Sequence, residues 1–190
     1  MTKLIFCYGA MNSGKSMQLL TWKYNYEEAG YKVFLYKPAM DTRGSFKDGE
    51  NKGVIASRAG LEASCTLVYE DETFLKYLDK INDPKTIIML DEAQFLNKQN
   101  IYDLARVVDD LNVPVMAFGL KNDFRNELFE GSKYLLLLAD KIEEIKTICW
   151  YCSKKATMVL RMVEGEPVYE GEQLQIGGNE SYIPVCRKHY

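Results

Sequence analysis

Two groups of residues in this chain have types and spacings that do chemistry. The first is the run Gly9-Ala10-Met11-Asn12-Ser13-Gly14-Lys15-Ser16. Its glycines let backbone amides turn inward around phosphate oxygens. Its lysine neutralises the β and γ groups of a nucleoside triphosphate, and its serine hydroxyl suits Mg²⁺. The second group is Cys149-x-x-Cys152 with Cys186-x-x-His189. Three thiolates and one imidazole satisfy a tetrahedral zinc ion and leave no open position. A closed site is structural, so zinc is expected to clamp the loop from Cys152 to Cys186 and to take no part in the chemistry. His189, the only histidine of the chain, falls at the ligand position.

Between these groups lies an acidic pair, Asp91-Glu92, at the end of the apolar run Thr86–Leu90. Behind a phosphate loop, an acid at a strand tip holds the metal, usually through water. This gives Asp91 the Mg²⁺ side and leaves Glu92 free to accept a proton from an attacking hydroxyl or water. Phe95, Phe124, Phe129 and Tyr182 supply flat surfaces of the kind a nucleobase needs. Their expected positions at C-terminal strand ends are where ligands bind in open α/β sheets.

The elements that must position these residues follow from local pattern. Leu4–Tyr8 is a short apolar run stopped by Gly9, expected as a buried strand. Residues 16–29 have helical character and stop at Gly30; residues 32–36 are expected as a second strand, broken by Pro38. Strand, loop, helix, strand is the unit that places a phosphate loop. Residues 40–60 are rich in Gly, Asp, Lys, Ser and Arg, and are expected as a mobile excursion with Val54-Ile55-Ala56 as its one strand-like piece. A helix is expected over 71–81, a fully apolar strand over 86–90, an amphipathic helix over 101–111, a strand over 113–118 and a short helix over 132–139. Beyond Ala139 the alternation stops, and 157–182, with Gly165, Pro167, Gly171, Gly177 and Gly178, reads as a ribbon with turns. The expected organisation is α/β: a phosphate-loop, RecA-like parallel sheet flanked by helices over residues 1–140, and a small zinc-bound lasso domain over 141–190.

Composition sets the outer bounds. The 190 residues are 47% hydrophobic and 27% charged, ordinary for a soluble globular protein. A net charge of −3 and a pI near 5.4 argue against broad nucleic-acid binding, which draws on a basic surface. No apolar run approaches the ~20 residues that span a bilayer, and the N-terminus carries no signal-peptide pattern. A cytoplasmic protein without nucleic-acid or membrane partners is therefore expected. Five cysteines, an odd count, fit a disulfide framework poorly, and in a reducing compartment the C-x-x-C pair reads as a metal site. Cys7, within an apolar run, is expected as a small core residue.

In combination these motifs resemble the thymidine kinases of the zinc-containing, tetrameric class found in bacteria and the animal cytosol. The resemblance covers essentially the whole chain. It rests on Gly-x-Met-x-Ser-Gly-Lys-Ser at 9–16, Asp41-Thr42-Arg43, Asp91-Glu92-x-Gln94-Phe95, Gly119-Leu120 with Phe124 and Phe129, Ile176-Gly177-Gly178, Tyr182, and Val185-Cys186-Arg187-x-His189. It implies transfer of the γ-phosphate of ATP to the 5′-hydroxyl of thymidine, giving thymidine monophosphate, with Glu92 as proton acceptor. By the same resemblance, residues 9–16 with Asp41, Arg43, Asp91 and Gln94 hold ATP and Mg²⁺. Met11, Phe95, Leu120, Phe124, Phe129 and Tyr182 surround thymine, and the zinc-clamped segment is a lasso that reads the base through main-chain groups of Gln175, Ile176, Gly177 and Gly178. A homotetramer and inhibition by the end product thymidine triphosphate are implied as well. Irregular lid backbone is entropically loose, and zinc at its base limits the cost of closing it. The thymine methyl offers about 1–3 kcal/mol of discrimination, so deoxyuridine is expected to be tolerated in part.

Departures from the family pattern are few. Ala10 stands where many relatives carry proline, His189 where some use cysteine, and Val159 where some have Thr or Ser near the base. Other classes fit less well. A DNA-stimulated ATPase with a zinc ribbon lacks its basic stripe, a regulatory GTPase lacks its guanine motif because Lys121-Asn122-Asp123 has the wrong order, and a noncatalytic nucleotide sensor would leave Glu92 without a role.

Overall fold

The structure is a computed structural model that describes residues 2–40, 52–76, 81, 83–173 and 180–190. Asp41, Arg43 and the segment from Gln175 to Gly178 lie outside the described residues. The chain opens with the expected unit: strand β1 (Leu4–Tyr8), helix α1 (Lys15–Glu28) and strand β2 (Lys32–Pro38). Pro38, which lacks an N–H, is tolerated because it is the last residue of its strand. An antiparallel hairpin follows, β3 (Lys52–Ala56) and β4 (Glu62–Val68), and β4 runs parallel to β2. Strand β4 is an addition to the sequence expectation. Its inward residues Cys65 and Leu67 alternate with Glu62, Ser64 and Thr66, so its period of two is diluted by polar residues.

Of the helix expected over 71–81, residues 74–76 form a turn of 3-10 helix, and 77–80 lie outside the described residues. The buried carboxylate of Asp103 accounts for the local geometry. Its Oδ2 accepts hydrogen bonds from Thr73 Oγ1 at 2.7 Å and from the Phe74 amide at 3.2 Å. Asp103 belongs to α2 (Lys98–Leu111), which starts earlier than expected because Asn97 caps it, its side chain accepting from the Asn100 amide at 2.9 Å. The helix ends at Asn112, whose φ of 54° closes it in the left-handed region. The remaining elements are β5 (Thr86–Leu90), β6 (Val115–Gly119), α3 (Glu130–Leu138) and β7 (Lys141–Glu144), then β8 (Met158–Val163), β9 (Glu166–Val168) and β10 (Glu180–Val185).

Among the described residues seven strands form one sheet in the order β3-β4-β2-β5-β6-β1-β7, parallel except for the β3–β4 pair. Both faces are covered, so the central strands are continuously apolar; every residue of β5 and β6 is buried. Phe6, Tyr36, Ile88, Leu90 and Ala117 face α2 and α3, and Cys7, Leu35, Ile87, Met89 and Phe118 face α1. Cys7 is thus the core residue expected, and burial, then the nearby Glu143, pushes its thiol up to about 12. Strand β7 pairs parallel with β1, so the main sheet continues past residue 140 to Glu144 before the chain reaches Cys149. A small antiparallel sheet, β10-β8-β9, then carries the C-terminal Cys/His group. No helix among the described residues is long and apolar enough to cross a membrane.

Candidate active site

The adjacent parallel strands β5, β6 and β1 end side by side, and the chemistry-bearing residues follow each of them directly. Asp91-Glu92 continues β5, Gly119-Leu120 closes β6, and the loop 9–14 continues β1. The Gly9 amide reaches across to the Gly119 carbonyl at 3.3 Å, joining two of these ends.

The loop begins the helix in the way its sequence requires. Gly14 has φ 87° and ψ 20° and serves as the N-terminal boundary of α1. Buried Lys15 curls back so that its Nζ donates to the carbonyls of Gly9 at 3.1 Å and Ala10 at 3.0 Å. Ser16 Oγ donates to Asp91 Oδ2 at 2.8 Å, a hydroxyl and a carboxylate side by side as hard cations take them. Among the described residues Ser13 Oγ is buried with no hydrogen-bond partner, a polar atom left to an incoming group. Burial, then the neighbouring charge of Glu92, raises the Asp91 carboxyl to about 6, against the opposing effects of Ser16, the Glu92 amide and Lys15. A cavity of about 530 Å³ brings together Met11, Asn12, Gly14, Lys15, Ser16, Asp91 and Glu92. It is also lined by Lys37, Ser57 and Arg58, which sequence reasoning did not select. For Lys37 a signal existed: a cation at the C-terminal end of an otherwise apolar strand, Val33-Phe-Leu-Tyr-Lys37.

Glu92 has φ 53° and ψ 37°, a left-handed conformation that strains a non-glycine residue by about 1–3 kcal/mol. The surrounding contacts hold it there. Its amide donates to Asp91 Oδ1 at 3.1 Å, its carbonyl accepts from the Phe95 amide at 3.1 Å, and its Oε2 accepts from Gln94 Nε2 at 2.5 Å. Gln94, expected beside the phosphates, is 1% exposed, and its Oε1 also accepts from the Leu120 amide at 3.0 Å. Gly119 makes this possible, because a Cβ there would sit 2.6 Å from Gln94 Oε1. Gly131 of α3 is needed in the same way: its Cβ would fall 2.4 Å from the Ala93 carbonyl of the 3-10 turn Ala93–Phe95.

The aromatic residues form separate pairs. Phe95 and Phe129 meet edge to face with centroids 5.6 Å apart, while Phe124 lies 6.3 Å from Tyr182. Ala10, Leu120 and Val159 line a narrow cleft with Tyr8, Glu144 and Thr157, between loop 9–14 and the C-terminal sheet. The C-terminal part is tied to the loop after β6 by contacts that sequence did not signal. Buried Asp123 accepts from Gln173 Nε2 at 3.0 Å, Arg125 Nη1 donates to the Gly171 carbonyl at 3.2 Å, and Tyr190 OH donates to the Phe124 carbonyl at 2.8 Å. The Arg161 guanidinium lies 5.2 Å over the Phe124 ring.

Cys149, Cys152, Cys186 and His189 converge with all their ligand atoms within 4.8 Å of one another. Cys152 Sγ is 3.8 Å from Cys186 Sγ, and His189 Nδ1 is 3.4 Å from Cys149 Sγ and 3.5 Å from Cys186 Sγ. Tetrahedral zinc at about 2.3 Å from each sulfur requires ligand separations of about 3.8 Å, so the group fits the ion. Burial alone would raise the Cys149 thiol, but hydrogen bonds involving Cys186, His189 and Tyr151 outweigh it and bring it down to about 6, which favours the thiolate a metal needs.

Two measurements check this geometry. Metal analysis of purified protein is expected to find one zinc per chain, and Cys152→Ser to lose it together with thermal stability; a full equivalent of zinc in that variant contradicts the assignment. The Asp91 shift sets the second. Its carboxyl binds a proton more tightly folded than unfolded, where its value is 3.8. Its contribution to stability is thus complete below about pH 4 and lost as pH rises through about 6. Asp91→Asn is expected to stabilise the ligand-free protein by about 1–3 kcal/mol at pH 8 and to leave it unchanged near pH 4. Equal Tm values at pH 8 contradict the account.

Comparison with known proteins agrees with the geometry. A family model described as thymidine kinase matches residues 2–190. The chain is 63% identical to a thymidine kinase of Lactococcus lactis over 190 residues, covering 100% of this chain and 97% of that relative. It is 58% identical, with the same coverage, to thymidine kinases of Streptococcus pyogenes and Streptococcus agalactiae. A match over essentially the full length at such identity leaves a single conclusion: the chain belongs to the thymidine kinase family.

Proposed function

We propose that this enzyme transfers the γ-phosphoryl group of ATP to the 5′-hydroxyl of thymidine, giving thymidine monophosphate for pyrimidine deoxynucleoside salvage and DNA precursor synthesis. The observation that carries the reading is the presence of the Glu92 carboxylate in the same cavity as Lys15, Ser16 and Asp91. A proton acceptor beside a phosphate cradle serves an attacking hydroxyl. Backbone amides of residues 9–14 and the start of α1 hold the β and γ groups, and Lys15 neutralises them. Mg²⁺, held by Ser16 and Asp91, would offset the charge developing on the phosphate oxygens. Glu92 takes the proton of the 5′-hydroxyl as the 5′-oxygen–phosphorus bond forms and the bond from the γ-phosphorus to ADP breaks. Gln94 orients Glu92 for this task through its 2.5 Å hydrogen bond.

Leu120 and Val159 stand on the thymine side of the site, with Met11, Phe95, Phe124, Phe129 and Tyr182 around the base. Val159 gives the methyl pocket an apolar wall, and deoxyuridine is accepted with reduced efficiency. Zinc remains structural, pinning the ends of the lasso. Residues 141–190 act as the lid over a phosphate-binding part formed by 1–140, with Asp41 and Arg43 near the phosphates and Gln175, Ile176, Gly177 and Gly178 over the base. Family membership supports a cytoplasmic homotetramer inhibited by thymidine triphosphate, without a nucleic-acid partner.

The test is transfer of label from γ-labelled ATP to thymidine, deoxyuridine, deoxycytidine and deoxyguanosine, with single-stranded DNA as a control. Transfer is expected for thymidine first, deoxyuridine second and neither of the others, and no transfer to thymidine overturns the reading. Glu92→Gln is expected to lower turnover by about 10²–10⁴-fold while calorimetry finds ATP and thymidine still bound. Near wild-type turnover in that variant removes Glu92 from the role of base.

A further inference from the structure

Facing the phosphate cradle, the same cavity has a second basic wall that the mechanism above does not use. It is made by Lys37 and Arg58, which line the cavity with Lys15, Ser16, Asp91 and Glu92. Strand alternation places the lysine. Tyr36 packs toward α2 and α3 and Leu35 toward α1, so Lys37 turns toward α1 and the loop that begins it. Lys37 is only 4% exposed and lines the cavity from the strand side.

Arg58 is placed by the turn between β3 and β4. The Ser57 amide donates to the Leu61 carbonyl at 2.8 Å, the Gly60 amide to the Ser57 carbonyl at 3.1 Å, and the Leu61 amide to Ser57 Oγ at 3.1 Å. Below the turn, fully buried Ile55 roots β3 in the core on the α1 side. The turn is therefore fixed, and it carries Arg58 to the mouth of the cavity. The side chain is exposed and has no ion-pair partner among the described residues. Arg58 thus lines the same cavity as the phosphate loop from the opposite strand pair. A planar guanidinium donates to phosphate oxygens in pairs, which an ammonium such as Lys15 does not.

We propose that Arg58 is a further catalytic residue: it contacts the γ-phosphoryl group during transfer and stabilises the charge on its oxygens. The inference rests on the phosphoryl transfer proposed above and deepens it. In that transfer an arginine supplied by the same chain lowers the barrier without exchanging a proton.

The experiment compares wild type with Arg58→Ala and Arg58→Lys. Arg58→Ala is expected to lower kcat for thymidine by about 10²–10³-fold, with KM for thymidine within about twofold and Tm unchanged. Arg58→Lys is expected to recover part of the loss, and added guanidinium at millimolar concentration to restore part of the rate of Arg58→Ala. A kcat within about twofold of wild type overturns the proposal, as does a rise in KM for ATP alone. A second readout does not depend on the nucleoside: binding of ADP with aluminium fluoride, a mimic of the transferring group, against binding of ADP alone. Arg58→Ala is expected to weaken the mimic at least about tenfold more than ADP, and equal effects on both overturn the proposal. If wild type fails to phosphorylate thymidine, the functional reading fails by itself, and the mimic still decides the role of Arg58.

Discussion

The buried amide of Gln94 ties the two ends of the site together. Its nitrogen donates to the Glu92 carboxylate and its oxygen accepts from the Leu120 amide, so a single side chain spans the tips of β5 and β6. The carboxylate belongs to the phosphate end, and Leu120 to the cleft beside the C-terminal sheet. Reactions that depend on near-attack geometry lose about a hundredfold from small misplacements. A rigid bridge between the two ends is the requirement that Gly119 and Gly131 serve, since a side chain at either would push the bridge or its turn away.

The surrounding fold carries a local cost at this bridge. Glu92 sits in a strained backbone conformation, Asp91 is buried with its carboxyl raised, and Ser13 Oγ is buried without a partner among the described residues. Each is unfavourable alone, and together they mark a site shaped for a ligand. The offset comes from a sheet covered on both faces, whose β5 and β6 are buried along their whole length. The C-terminal sheet is held separately, by the Cys/His group at one side and by Asp123, Arg125 and Tyr190 at the other.

How much of this was legible depended on the distance over which each signal acts. Loop 9–16, the acidic pair and the C-x-x-C and C-x-x-H halves of the Cys/His group are short-range patterns, and the structure joins the two halves of that group across 34 positions. The apolar strands β1, β5 and β6 were legible because parallel strands buried on both faces leave continuous runs. Strand β4 was not, because Glu62, Ser64 and Thr66 face outward between its core residues. The 3-10 turn at 74–76 depends on Asp103, a carboxylate about thirty positions away that no local propensity encodes. Strand β7 has the polar composition Lys-Ile-Glu-Glu of an edge, and only its pairing with β1 makes it part of the sheet. Lys37 and Arg58 meet the phosphate loop only because β2, β3 and β4 lie where they do, which is a property of topology and not of spacing.

The central claim, that Gln94 holds the Glu92 carboxylate in register with the rest of the site, is tested most directly by Gln94→Met, which keeps the volume and removes both hydrogen bonds. The account predicts that kcat falls by about 10–100-fold while calorimetric affinities for ATP and thymidine stay within a few-fold of wild type. Unchanged kcat, or a loss confined to binding, would contradict it.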